Sequence, residues 1–229
     1  MKMQLTSLAA AAVMLSMASL AMAGSTSNIN QEGAGHFSDV DQQGASESKI
    51  DQSGVGHDAR VKQIGTGYSE INQVNGGNAA DVNQNGQSSY SQVNQYNINN
   101  TADITQTGNN LWSRVNQAEG RNGHGNYAEV DQRSWENDSN ITQLRSDNEA
   151  YVKQYGAYNE SDILQAGGNF QAGGNEAYIG QYDDNNTSYV SQYNSGGDAN
   201  YTKVTQSSNY NYSSVAQRGT GNETVVYQH

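Results

Sequence analysis

Eighteen glutamines in this chain share one local frame. Taking each as position zero, Val or Ile stands two residues before every one, and Ser, Ala or Thr stands four before. Asn stands six before in eleven of the eighteen, including an unbroken nine from Asn126 to Asn222. The anchors are Gln31, Gln42, Gln52, Gln63, Gln73, Gln84, Gln95, Gln106, Gln117, Gln132, Gln143, Gln154, Gln165, Gln181, Gln192, Gln206, Gln217 and Gln228. The unit reads N-x-[SAT]-x-[VI]-x-Q. Its offsets have a period of two, which in a β-strand turns all four side chains to one face. The intervening positions vary freely, as a solvent-facing side does. A small or polar residue two after the glutamine, such as Gly33, Gly44, Gly54 or Gly65, marks a turn. Each unit is predicted to be a strand of about seven residues and a turn of about four.

A second regularity pairs the units. From Gln52 to Gln181 the residue at −4 alternates strictly between Ser and Ala, beginning Ser48, Ala59, Ser69, Ala80 and ending Ser161, Ala177. The structural repeat is therefore two strands, spaced as Gln73 and Gln95 are, and there are nine of them. The three long spacings, Gln117 to Gln132, Gln165 to Gln181 and Gln192 to Gln206, all fall between a Ser-type strand and its Ala-type partner. One edge of the fold accepts insertions. The opposite edge, which steps the chain to the next layer, does not.

Fixed-period repeats of this length predict a solenoid, in which no unit buries its own face. The fold class is all-β: a two-sided β-solenoid of strand-turn-strand layers, ~4.7–4.9 Å apart, in which like stacks on like. A lone interior glutamine would be a costly unsatisfied group, but amides stacked on amides hydrogen-bond along the column, as in cross-β assemblies. The predicted interior ladder runs from Gln42 to Gln206, and it leads to end positions at Gln31, Gln217 and Gln228. Outside, Tyr68, Tyr90 and Trp112 share one offset in three consecutive layers, and Asn72, Asn94 and Asn116 share another. Asp39, Arg60 and Asp81 alternate in sign, whereas Asp81, Asp103 and Glu129 stack like charges that oppose indiscriminate association. Such a chain is expected to fold most readily against an existing layer.

Residues 1–23 stand apart. Lys2, an apolar run from Leu5 to Leu20 and the small-x-small sequence Ala21-Met22-Ala23 read as a secretory signal peptide cleaved between Ala23 and Gly24. The run is shorter than the ~20 residues of a bilayer span. Residues 24–229 read as a single repeat domain. Without Lys2, ten basic residues face 23 acidic ones, which argues against nucleic acid or an anionic membrane as partner. The chain has no cysteine and no proline: an exported fold must hold without disulfides, and backbone pairing runs uninterrupted.

The pattern Ser-x5-Gln-x-Gly, at residues 25–33 and 46–54, resembles the curlin repeat, as does Asn-x-Ala-x3-Gln at residues 78–84, 126–132 and 148–154. The resemblance covers residues 24–229 and implies a curli-like fibre subunit. It would be secreted through the periplasm by a dedicated outer-membrane machinery, nucleated on a minor curlin, and polymerised on itself into a cell-surface amyloid for adhesion and biofilm matrix. It implies no cofactor and no small-molecule substrate. It also implies that the end layers carry assembly: Ser25, Ser27 and Gln31 with Ile29 in the first, and Asn211, Ser213, Gln217, Asn222 and Gln228 with Val215, Thr224 and Val226 in the ninth. Curlins usually carry a Gly-rich segment before the repeats, whereas here the repeats follow Gly24 almost at once. The intact motif at residues 222–228 is more like a major subunit than a nucleator.

His36 and His57 share an offset in adjacent layers. With no further ligands evident for a metal, they read as stand-ins for Asn in a ladder. The Asn-x-Ser/Thr matches are the repeat itself. The interior serines lack a His/Asp constellation, so nucleophilic catalysis has no support, and Asp183-Asp184 with the Gly-Gly pairs does not form a calcium roll. The remaining alternatives to a fibre are a minor, nucleating curlin and a monomeric solenoid adhesin.

Overall fold

The computed structural model describes residues 24–120, 124–145, 147–167 and 173–229. The signal-peptide assignment, with its cleavage after Ala23, lies outside the described residues. Within them the chain is a parallel β-solenoid of sixteen strands. Ser-type strands form one column, from Thr26–Ala34 and Glu47–Val55 through Trp112–Gly120 to Tyr212–Gly219. Ala-type strands form the facing column, from Phe37–Gln43 through Thr101–Asn109 to Glu223–Gln228. Each layer pairs in register with the next, so Ile29, Ile50 and Ile71 stack, as do Gln31, Gln52 and Gln73.

Between the columns lies a core two side chains thick. Ile50, Val61, Ile71, Val82, Val93 and Ile104 are fully buried. Each is worth ~1.5–3 kcal/mol of apolar burial, and β-branching suits them to the pleat. The residue at −4 is small because a glutamine of the facing column lies against it. Gln106 Nε2 donates to Ser113 Oγ at 3.2 Å, and Gln192 Nε2 to Thr202 Oγ1 at 3.1 Å. A longer side chain there would occupy the amide's space.

The expected division into short strands and turns is replaced at two places by long strands. Asp58–Gly76 and Ala79–Ile98 run around the bend and belong to both columns. Successive bends are themselves stacked in register, with irregularities at Thr66/Gly67 and Gln95/Asn97, so backbone pairing continues where the chain turns. That close stacking fixes the glycine two after the glutamine. Gly54 has φ +128°, and a Cβ there would lie 1.8 Å from the Asn75 carbonyl oxygen.

Candidate assembly faces

The interior glutamines form two unbroken rails. In the Ser-type column Nε2 donates to the next layer's Oε1 from Gln31 to Gln52, Gln73, Gln95, Gln117, Gln143, Gln165, Gln192 and Gln217, at 2.7–3.0 Å. In the Ala-type column the rail runs from Gln42 to Gln63, Gln84, Gln106, Gln132, Gln154, Gln181, Gln206 and Gln228, at 2.7–2.9 Å. Every bond points the same way along the chain. The amide also reaches a facing backbone carbonyl, as Gln73 Nε2 does to Asp58 O at 2.9 Å. Burial is thereby made cheap: Gln73, Gln95, Gln106 and Gln117 are all fully buried with their groups satisfied.

A third rail follows the bend at −6 and runs in the opposite sense. The backbone N–H and Nδ2 of Asn100 both donate to Asn78 Oδ1, at 3.0 and 3.2 Å, and Asn126, Asn148 and Asn175 repeat the pattern. Several bends also close locally: Asn78, Asn100 and Asn148 each donate Nδ2 to the carbonyl four residues back, Asn100 to Tyr96 O. The two histidines enter this rail by the same contacts. Nδ1 of His57 accepts from the Asn78 N–H at 3.3 Å, and Nδ1 of His36 accepts from the His57 N–H at 3.4 Å. Their Nε2 atoms face Ser53 O and Glu32 O, four residues back, and the rings stack at 5.0 Å and 6°. A ring accepting at Nδ1 and donating at Nε2 is neutral, and burial pulls the His57 pKa below the ordinary histidine value. Among the described residues no three His, Cys, Asp or Glu side chains cluster as a metal site would need.

The expected outer columns form. Tyr68 stacks on Tyr90 at 5.3 Å and Tyr90 on Trp112 at 6.0 Å, and Asn94 Nδ2 donates to Asn116 Oδ1 at 2.9 Å. Asp39, Arg60 and Asp81 lie in register. Burial, reinforced by Asp81 and Glu129, raises the pKa of Asp103 in the like-charged column. A second aromatic run, Tyr127, Tyr151, Tyr178 and Tyr201, was not evident from the sequence. It moves from offset −5 at Tyr127 to −3 at Tyr151 and Tyr178 and back to −5 at Tyr201, with centroids 5.4, 4.5 and 5.9 Å apart, so no single offset reveals the whole run.

At the two ends the rails stop with opposite chemistry. Ser25, Ser27, Ile29 and Gln31 line the first Ser-type strand, where Ser27 is exposed and Ile29 and Gln31 are partly so. Ser25 Oγ donates to Gly44 O, and Gln31 Nε2 to Ser38 Oγ and Gln52 Oε1. At the other end Ser213, Val215 and Gln217 are still 6–7% exposed, and Thr224, Val226 and Gln228 are only partly covered. Gln217 Nε2 donates to Tyr201 O and Thr224 Oγ1, and Gln228 Nε2 to Tyr212 O. Asn211 and Asn222 continue their bends by donating N–H to Asn186 Oδ1 and Asn200 Oδ1. Among the described residues no strand pairs with the outer edges of Thr26–Ala34 or Tyr212–Gly219. One face presents the Oε1 acceptors of Gln31 and Gln42, and the other presents the Nε2 atoms of Gln217 and Gln228.

Residues 99–133 match the family model of the curlin associated repeat. The matched stretch holds three anchors, Gln106, Gln117 and Gln132, whose layers are in register with those on either side. No curated protein matches the chain.

Proposed function

We propose that this chain is the secreted structural subunit of a curli-like amyloid fibre, polymerising on itself by stacking layer on layer. The observation that carries this reading is the pair of complementary faces: amide donors at the ninth layer, amide acceptors at the first, in a shared register. Gln217 of one molecule reaches Gln31 of the next, and Gln228 reaches Gln42, by the same bond that joins every layer within the chain. Ser25, Ser27 and Ile29 meet Asn211, Ser213 and Val215, and Asn222, Thr224 and Val226 meet the first Ala-type strand. Edge strands invite such pairing, and the polarity of the rails supports head-to-tail growth. A minor curlin serves as nucleator, an outer-membrane curli machinery exports the chain past the periplasm, and the fibre supports adhesion and biofilm matrix. The role is structural, with no catalysis.

The test is seeded growth of purified residues 24–229, followed by a cross-β-reporting dye and by fibre diffraction. Seeds elongating at micromolar monomer, with a ~4.7–4.8 Å meridional repeat, are the expected result. A folded chain that stays monomeric for days in the presence of seeds overturns the reading.

A further inference from the structure

The exposed column one residue after the Ser-type glutamines has an unusual charge distribution. It begins at Glu32 in the first layer and finishes at Arg218 in the ninth, and its seven intervening positions, from Ser53 to Tyr193, carry only Ser, Val, Tyr, Ala and Leu. The column's one acid and one base therefore sit at its opposite ends, too far apart to meet within a molecule. Both are exposed. The Arg218 guanidinium lies over the Tyr193 ring, 5.7 Å from its centroid, which holds it in the column.

We infer that Arg218 of one molecule and Glu32 of the next form an ion pair that selects the head-to-tail register of the junction, an inference that rests on the fibre reading. The geometry has a precedent within the chain. Lys49 and Glu70 occupy one column in adjacent layers, and Nζ lies 2.9 Å from Oε1. The rest of the junction is free of directly opposed like charges. Tyr212, Ser214 and Ala216 fall on Thr26, Asn28 and Asn30; Glu223 falls on Phe37, Val225 on Asp39 and Tyr227 on Asp41. Asp39 is only diagonal to Glu223, where the pairing distance is longer. Inside the chain the Asp81, Asp103 and Glu129 column is tolerated because those layers are covalently tethered. The junction has no tether, so a complementary pair has a role there that it lacks elsewhere.

Charge reversal tests this without touching the interior. Glu32→Lys and Arg218→Glu each convert the pair to a repulsion and are expected to raise the monomer concentration left at the growth plateau by about tenfold. The double variant restores the wild-type value. So does an equimolar mixture of the two single variants, because alternating copies present opposite charges at every junction. Glu32→Lys lowers the chain's net negative charge, so generic repulsion predicts faster growth for it, the opposite outcome. Single variants that grow like wild type, or a mixture no better than its components, overturn the inference while wild-type fibres still grow. Wild-type chain that fails to elongate seeds overturns the fibre reading as well.

Discussion

Truncating one mid-rail glutamine is the sharpest perturbation of the interior. Gln117 is fully buried. Its Nε2 donates to Gln143 Oε1 and Thr101 O, both at 2.9 Å, and its Oε1 accepts from Gln95 Nε2 at 3.0 Å. Gln117→Ala removes three bonds worth about 1 kcal/mol each and leaves Gln143 Oε1 without its donor, an orphan costing about 1–3 kcal/mol. Together these come to about 4–6 kcal/mol, and the void left by the shortened side chain adds to the loss. Gln31→Ala removes bonds to Ser38 and Gln52 at a partly exposed site where water replaces them, for about 1–2 kcal/mol. Guanidinium titration of seeded fibres, with free chain separated by sedimentation, reads both losses. Elongation rate must rank them in reverse, because Gln31 meets each incoming molecule and Gln117 does not. Equal losses at the two positions, or a Gln117→Ala loss under about 1 kcal/mol, would refute the rail as a source of stability.

Other consequences concern single side chains. The hydroxyls of Ser48, Ser69, Ser91, Ser139 and Ser161 are buried without a hydrogen-bond partner, so Ser91→Ala is expected to be neutral or stabilising by about 1 kcal/mol in the same titration. Ser113→Ala, which removes an acceptor from Gln106, is expected to destabilise. Burial, with a smaller contribution from His36, lowers the pKa of His57 below 6.5. Folding therefore favours its neutral form: its contribution is intact above pH 6.5 and lost as pH falls through the folded value. Thermal melts between pH 7.5 and 5 should show this drop, and His57→Asn should flatten it. Asp138 is solvent-accessible but crowded at the start of its strand, and partial desolvation, then Glu160 and Asp162, push it up to about 6 against Arg114. Its ionisation opposes folding from the unfolded pKa of 3.8 upward, with the full penalty above about 6. Asp138→Asn should raise the melting temperature at pH 7.5 and leave it unchanged at pH 3.

Much of this architecture was legible from side-chain chemistry at fixed offsets. Val or Ile at −2 and a small residue at −4 specify an interior face, and the Ser/Ala alternation assigns strands to two columns, because one-residue slips would expose every Val and Ile. The like-on-like register of Tyr68, Tyr90 and Trp112 follows directly. The direction of the amide rails does not, because it depends on which way the layers climb relative to each carboxamide. Nor does the sequence show that Gln106 lies against Ser113, since that contact crosses between columns. The continuity of the strands Asp58–Gly76 and Ala79–Ile98 is not legible: glycine signals a bend, but not that successive bends stack. Ser48, Ser69, Ser91, Ser139 and Ser161 mislead in the other direction, since hydroxyls suggest partners while these positions require only smallness. The roles of the end residues, from Ser25 to Gln31 and from Asn211 to Gln228, are a matter for assembly experiments.

The most direct such experiment exploits a chain with no cysteine. Asn28 in the first layer and Ser214 in the ninth share the outward −3 offset. Across a head-to-tail junction their Cα atoms would lie one strand spacing apart, ~4.7–4.9 Å, within disulfide range. Chains bearing Asn28→Cys are mixed with chains bearing Ser214→Cys, grown on seeds and oxidised. In-register stacking predicts heterodimers alone. Homodimers of either variant, or fibres that grow without cross-linking, would contradict it.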